Sequence, residues 1–380
     1  MGNPAGGGLS VHIVWFIAGA ALLVFTLADA VGTLVTTRNR TGRYWPTNFF
    51  YHHSWSLWRQ VGKRARNDDR RENLLTGYGP VSLLLILAMW VALEILAWSF
   101  VWYGMSDSFN DLHTHLDALY FSGVNFFTVG FGDIVAVHGG ARVLTVFAAF
   151  TGVTTMALVV GFLPTLYGAY SERERQLLLL DDVSGTEVSA VGIIQAHRAG
   201  ADLSRLGPLF DEWERWAAGV METHTSYRML VLFRSRRTGQ SWLTALGLLT
   251  ETSAIVLACL PDAPLREAAR CYRRMTELLD ALVTVSPAER KLMWLEPYEL
   301  DDFQESYARL EASGLTLRPF DEAWPAMQQL RDGYYRPLAA LFSLLLPPRQ
   351  FLNPQVRFPA FLGEMEAELE GRGDEPGDAS

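Results

Sequence analysis

Three long apolar runs mark the first half of the chain: Val11–Val35, Pro80–Tyr103 and Ala141–Tyr170. Each reaches the roughly 20 residues that a helix needs to cross the hydrocarbon core, so the pattern predicts three spanning helices. A shorter, mostly apolar stretch, Leu116–Phe127, lies between the second and third and runs into a glycine-bearing segment. No run carries arginine at every third position, which argues against a voltage sensor. After Tyr170 the pattern becomes that of amphipathic helices, as in Leu203–Met221 and Leu265–Val285. Trp242–Leu260 is apolar apart from Glu251 and a few hydroxyls, and it follows Arg234-Ser235-Arg236-Arg237. It is either a fourth membrane helix with bases on its inner side or the central buried helix of a helical domain. Its marginal length and embedded Glu251 favour the second.

The glycine-bearing segment is Thr128-Val129-Gly130-Phe131-Gly132-Asp133. A strand that lines an ion path must turn successive carbonyls toward one axis, where they replace the water shell of the ion. That requires left-handed backbone at alternate positions, which glycine adopts at little cost. Gly130 and Gly132 supply it, the Thr128 hydroxyl adds an oxygen below the carbonyl rings, and Val129 and Phe131 pack behind. Helix, short helix, this hexapeptide, helix: over about residues 79–170 the chain resembles the pore module of the tetrameric potassium channels. The wider chain resembles bacterial single-pore channels with an extra N-terminal helix and a helical cytoplasmic domain.

That resemblance implies K⁺ binding by Thr128, Val129, Gly130, Phe131 and Gly132. Tyr120 and Phe121 take the places of an aromatic cuff around the filter, and Asp133 matches an acidic residue just outside it. Phe131 stands where tyrosine is commoner, so one hydrogen bond behind the filter is missing. Val124 stands where several members carry a buried glutamate. Gly152, twenty residues after Gly132, matches a gating hinge, although glycines also let helices pack closely. Gly161 and Pro164 lie near the inner mouth, where proline bends a helix. Glu94, within the second apolar run, needs a partner or a function. Asp29, near the end of the first, pairs or reaches toward the interface.

Charge sets the expected orientation. Residues 37–78 carry nine basic side chains, whereas 104–114 carry no Lys or Arg, which places the former in the cytoplasm and the N-terminus outside. Signal-peptide cleavage at Ala28-Asp29-Ala30 would reverse this, but the leader lacks a basic start and both pore helices must end inside. Residues 41–60 mix Tyr44, Trp45, Phe49, Phe50, Trp55 and Trp58 with Arg43 and Arg59, as in a helix lying on the inner leaflet. It either couples to the gate or only anchors the chain.

The resulting organisation is an N-terminal transmembrane helix (1–36), an interfacial helix and linker (37–78), the pore module (79–170), a helical cytoplasmic domain (171–363) and a disordered acidic tail (364–380). The fold class is all-α membrane protein: three spanning helices, a re-entrant pore helix with its filter, and a helical cytoplasmic domain. At 380 residues, 49% hydrophobic and with a net charge of −9, the chain suits a half-membrane protein and lacks a nucleic-acid footprint. Two cysteines, Cys259 and Cys271, read as free thiols. Gly-x-Gly-x-x-Gly is absent, which argues against a nucleotide-binding Rossmann lobe. His52-His53 and the pair His113 and His115 read as solvated rather than metal-binding, and no catalytic constellation is present. The expected function is selective K⁺ conduction by a homotetramer in the inner membrane of a bacterial cell, with K⁺ as the permeant ion and no cofactor. Its partners are the bilayer and a small molecule or protein that regulates the cytoplasmic domain. A weakly selective cation channel and a poorly conducting membrane sensor are the alternatives.

Overall fold

The apolar runs form helices longer than the runs themselves. The structure is a computed structural model that describes residues 5–34, 45–64, 68–183, 189–200, 202–235, 241–285 and 300–345. The basic residues Arg38, Arg40 and Arg43 and the acidic tail 364–380 lie outside them. The described elements are helical, with no named strand. α1 is Ala5–Leu34, α2 Pro46–Lys63, α3 Asp68–Gly104, α4 His115–Phe126 and α5 Gly139–Val183. Then follow α6 (Ala190–Ala196), α7 (Leu206–Ser226), α8 (Trp242–Cys259), α9 (Leu265–Val285), α10 (Leu300–Ala312), α11 (Phe320–Asp332) and α12 (Tyr335–Leu345).

The chain divides into two units, 1–66 with 77–168, and 67–76 with 169–380. The first holds α1, α2, α4 and most of α3 and α5. Among the described residues four helices are long and apolar enough to cross a membrane: α1, α3, α5 and α8. α1 runs antiparallel to α3 at close range. A Cβ at Gly19 would fall 2.6 Å from the Ala97 carbonyl, and one at Gly104 would fall 2.6 Å from the His12 carbonyl. Small residues at a helix crossing are how apolar helices gain contact in lipid, where no hydrophobic effect drives them together. Leu23 of α1, Trp98 and Trp102 of α3, Phe121 of α4 and Ala148 of α5 meet in one apolar cluster.

Three buried polar ties order this unit. The Asp29 carboxylate of α1 accepts from the Thr47 backbone N–H (3.2 Å), the Thr47 hydroxyl (2.6 Å) and Trp90 Nε1 (2.9 Å). Asp29 therefore pairs, and it does so at the first turn of α2, where an unpaired N–H and the helix dipole both favour a carboxylate. Glu94 accepts from the Thr155 hydroxyl at 2.7 Å, and Trp98 Nε1 donates to the Thr151 hydroxyl at 3.1 Å. α2 also packs on α3 through Ser54, bonded to the Tyr78 hydroxyl at 2.8 Å, and through Trp55 against the Tyr78 ring.

In the second unit α8 is the centre. Every residue of it is buried except Glu251 and Leu257, and α6, α7, α9, α11 and α12 cover it. Thr250, Thr252 and Ser253 bond back to the carbonyls of Leu246, Leu248 and Leu249, so they need no outside partner. Glu251 meets Arg331 at 3.5 Å and accepts from the Tyr334 hydroxyl. Trp242–Cys259 is thus membrane-like in composition because it is a domain core. α9 shows how the cover is made: Ala268, Cys271, Met275, Leu278, Leu279 and Leu282 line its buried face at helical spacing.

Candidate functional site

The hexapeptide begins where α4 is stopped. Thr114 caps the start of α4: its hydroxyl accepts from the Asp117 N–H (3.2 Å), and the Asp117 carboxylate accepts from the Thr114 N–H (2.7 Å). At the other end the N–H groups of Phe127, Thr128 and Val129 turn back to the carbonyls of Gly123, Asn125 and Val124. The backbone then alternates. Thr128, Gly130 and Gly132 have φ of +54°, +62° and +82°, and among the described residues Thr128 is the one non-glycine at positive φ. For a threonine this conformation costs about 1–2 kcal/mol, and such strain collects at working sites. Left-handed residues at every second position bring successive carbonyls to the same side of the strand.

Asn110 fixes the exit of the segment. Its side-chain amide donates to the Asp133 carbonyl (3.1 Å) and accepts from the Val135 N–H (2.7 Å). Behind the segment the Tyr120 ring lies parallel to Phe131, with centroids 6.4 Å apart. The Tyr120 hydroxyl beside Asp133 holds that carboxyl below its ordinary range, so Asp133 stays anionic at neutral pH. Phe121 points elsewhere. It is buried against Trp102 and Phe109, at 5.7 and 5.2 Å between ring centroids. Sequence reasoning missed this Trp98–Trp102–Phe109 support, although Trp90, Trp98 and Trp102 lie on one face of α3.

α5 is held against α4. A Cβ at Gly152 would lie 2.8 Å from the Phe126 carbonyl, and the Asn125 amide donates to the Thr145 carbonyl at 3.1 Å. Close packing is thus one reason for glycine at 152. Gly161 has open space around it. Pro164 lies inside α5, where it has no N–H to offer Val160, and the Thr165 hydroxyl bonds back to the Gly161 carbonyl at 3.4 Å. Thr154 is exposed, whereas Thr155 is buried on Glu94. In the single chain Val129, Phe131, Val143, Val146, Phe150 and Val160 are all exposed.

The second unit contains a buried node that the sequence did not announce. Arg173, on the extension of α5, is 2% exposed. It donates to Glu174 (2.8 Å), to the carbonyls of Phe233 (2.8 Å) and Leu230 (3.2 Å), and to His224 Nε2 (3.0 Å). Its guanidinium also lies over the rings of Trp242 and Tyr170, at 4.8 and 5.1 Å. Nearby Arg234 pairs with Glu72 of α3 at 2.5 Å, and its carbonyl accepts from the Tyr170 hydroxyl at 3.2 Å. The segment 228–235 therefore grips both the first turns of α3 and the extension of α5. Alongside, Glu172, Gln176, Glu212, Arg215, Trp216 and Thr223 line a groove between α5 and α7.

Burial, and then the neighbouring Arg173 cation, hold His224 well below its ordinary 6.5. A neutral imidazole accepts the Arg173 bond, whereas an imidazolium would face a like charge. Below pH 6.5 the unfolded chain takes up a proton that the folded chain refuses, so stability falls as the pH falls, by at most about 1.4 kcal/mol per pH unit. The melting temperature of the full chain is expected to be flat above neutrality and to drop in this acid window. His224→Gln, which retains an acceptor for Arg173, should flatten the acid limb, as followed by circular dichroism at several pH values.

Among the described residues no three His, Cys, Asp or Glu side chains are close enough to hold a metal. His115 is packed between Trp15 and Tyr103, with centroids at 4.6 and 3.5 Å, and His52 meets His53 edge-on. Cys259 and Cys271 are free and buried, and burial pushes both thiols up to about 12.

The sequence profile of a family described as "Ion channel" matches residues 88–167, the stretch from mid-α3 through α4 and the hexapeptide into α5. The chain is also 23% identical over 312 residues to the "Uncharacterized membrane protein YdjJ" of Bacillus subtilis (strain 168), covering 79% of this chain and 85% of that protein. No solved structure matches. The chain is a multi-pass membrane protein, and its residues 88–167 are similar to that ion-channel family.

Proposed function

We propose that the chain assembles as a homotetramer and conducts K⁺ selectively through the carbonyls of Thr128, Val129, Gly130 and Phe131, with Gly132 completing the strand. The observation that carries this reading is the left-handed backbone at Thr128, Gly130 and Gly132, in the order that a carbonyl-lined path requires. One chain supplies one such strand, and a ring of carbonyls needs several. The exposed apolar residues around it, among them Phe127, Val129, Phe131 and Phe150, are then covered by neighbouring copies on the axis. Asp133 draws cations to the outer mouth. The N-terminus lies outside and the second unit in the cytoplasm of a bacterial-type cell, because the basic residues cluster in 37–78.

Gating is assigned to bending of α5 about Gly152, with Gly161 and Pro164 in the lower, more deformable half. Asn125, Trp98 and Glu94 hold α5 at Thr145, Thr151 and Thr155, so the contacts on either side of Gly152 must yield for the helix to bend there. The second unit biases the bend through its grip on Arg173 and Tyr170, and the groove between α5 and α7 is where a small regulator fits.

Flux assays on the full chain in liposomes test the reading. K⁺ flux well above Na⁺ flux, with cross-linking that stops at four subunits, is the expected result. Equal fluxes would make the protein a weakly selective cation channel, a reading to which the missing hydroxyl of Phe131 lends weight. Absence of both would make it a pore-fold sensor.

A further inference from the structure

Buried polar contacts run in series through the first unit. At one end, Asp29 holds the first turn of α2 and Trp90 together. One turn further along α3, Glu94 accepts from Thr155, and one turn beyond that, Trp98 donates to Thr151. Trp90, Glu94 and Trp98 are four residues apart and share one face of α3. Thr151 and Thr155 flank Gly152 on α5. Asp29, Glu94, Thr151 and Thr155 are all buried, and the second carboxylate oxygen of Glu94 has no partner among the described residues. An apolar contact would hold these helices as well, and polar groups inside a membrane are costly enough that those present usually serve a function.

At the far end of the series lies α2. Thr47, Tyr51 and Trp55 are buried on its inward face, while Phe49, Leu57 and Val61 are 61%, 65% and 49% exposed. Pro46–Lys63 contains Arg59 and Lys63 and no acidic residue, and Arg64 follows directly. The apolar surface is continuous with that of α1: Val24, Phe25 and Val31 are exposed, and Phe25 stacks on Trp45, which precedes α2. A spanning helix shows such residues to lipid. The adjoining apolar stripe with bases and no acids is complementary to an anionic headgroup layer.

We propose that α2 rests on the anionic surface of the bilayer that α1 and α3 span, and that its seating is transmitted through Asp29, Trp90, Glu94 and Trp98 to the Gly152 segment of α5. The regulation deepens the channel reading and rests on it, yet the mechanical chain can be followed without any flux. A change in the surface charge of the bilayer shifts α2, and α2 cannot shift without disturbing the Asp29 contacts of α3. α3 in turn holds α5 at two points beside the bend.

The full chain carries an environment-sensitive fluorophore, in one preparation at Leu57→Cys and in another at Met156→Cys, which is partly exposed on α5. The two natural thiols are buried and do not compete for the label. Each preparation is reconstituted in phosphatidylcholine vesicles with and without phosphatidylglycerol. The anionic lipid is expected to shift the emission at 57 to the blue, to shift that at 156, and to change K⁺ flux about fivefold, the lower end of ordinary coupling between sites. Glu94→Gln and Asp29→Asn should retain the response at 57 and lose it at 156. Trp98→Phe removes the donor without touching either carboxylate and keeps a smaller aromatic ring against Trp102, so it gives a third, chemically different break in the series. A label at 57 that stays water-exposed in both vesicles overturns the docking, including in favour of a protein partner. A label at 156 that responds equally in the parent and all three variants overturns the relay. Responses at both labels without ion flux uphold this inference and sink the channel reading.

Discussion

Gly130→Ala is expected to abolish K⁺ flux while four subunits still cross-link. Gly130 sits at φ +62°, and a Cβ there would meet no atom of its own chain within 4 Å. The cost is therefore conformational, about 1–2 kcal/mol for a left-handed L-residue. In the proposed ring of four chains that strain is carried four times, at the point where the strand has no regular ladder to hold its shape. The cheaper course for the strand is to rotate its peptide planes, which takes carbonyls off the ion path. Thr128 already carries such strain two residues earlier, so little tolerance remains. Liposome flux beside cross-linking reads both arms. Unchanged K⁺ flux would refute the assignment of this segment as the filter, and loss of the tetramer would mean that the residue acts on assembly instead.

The second large effect is expected at Arg173. Arg173→Ala removes the donor for the Leu230 and Phe233 carbonyls and for His224 Nε2, and leaves Glu174 without its cation. Breaking a buried charged network in this way costs about 3–5 kcal/mol, chiefly because the Phe233 carbonyl and His224 Nε2 lose their donor in a buried place. For a unit of this size that corresponds to a melting temperature lower by about 10 °C. Arg173→Lys keeps the charge but cannot fork to several acceptors, and should fall between. Arg175→Ala is the contrast. Its bridge to Glu172 is fully in solvent, and the melting temperature should not move. Equal effects at 173 and 175 would show that the network adds nothing to the fold. If the second unit biases the pore through α5, Arg173→Ala should also change the open probability in single-channel recordings.

Most of the architecture was legible from the residues. The three apolar runs became α1, α3 and α5, because length and apolar content alone decide whether a helix can cross a bilayer; the short run became α4, and residues 41–60 held most of α2, which continues to Lys63. Boundaries were less legible. α3 begins at Asp68 and α5 runs to Val183, since charged turns continue a helix wherever good helix formers follow one another. Trp242–Cys259 was legible as ambiguous, and its covering helices resolved it. The alternation of φ in the hexapeptide could be expected from two glycines two residues apart; the matching strain at Thr128 could not, because threonine gives no local reason for it.

By itself, the sequence determined the pattern of long apolar helices, the helical second half and the left-handed backbone at Gly130 and Gly132. Each depends on properties that a residue carries with it: transfer cost into lipid, backbone freedom, or a helical period. Tertiary structure alone decided which polar residues meet. Asp29 and Trp90 are 61 residues apart, as are Glu94 and Thr155, and Arg173 reaches Phe233 across 60. No local rule ties such residues, since a hydrogen bond depends on where two helices cross rather than on what each helix contains. Tertiary structure likewise turned Tyr120 toward Phe131 and Phe121 toward Trp102, because neighbours on a helix point about 100° apart and only packing shows which of the two faces the strand.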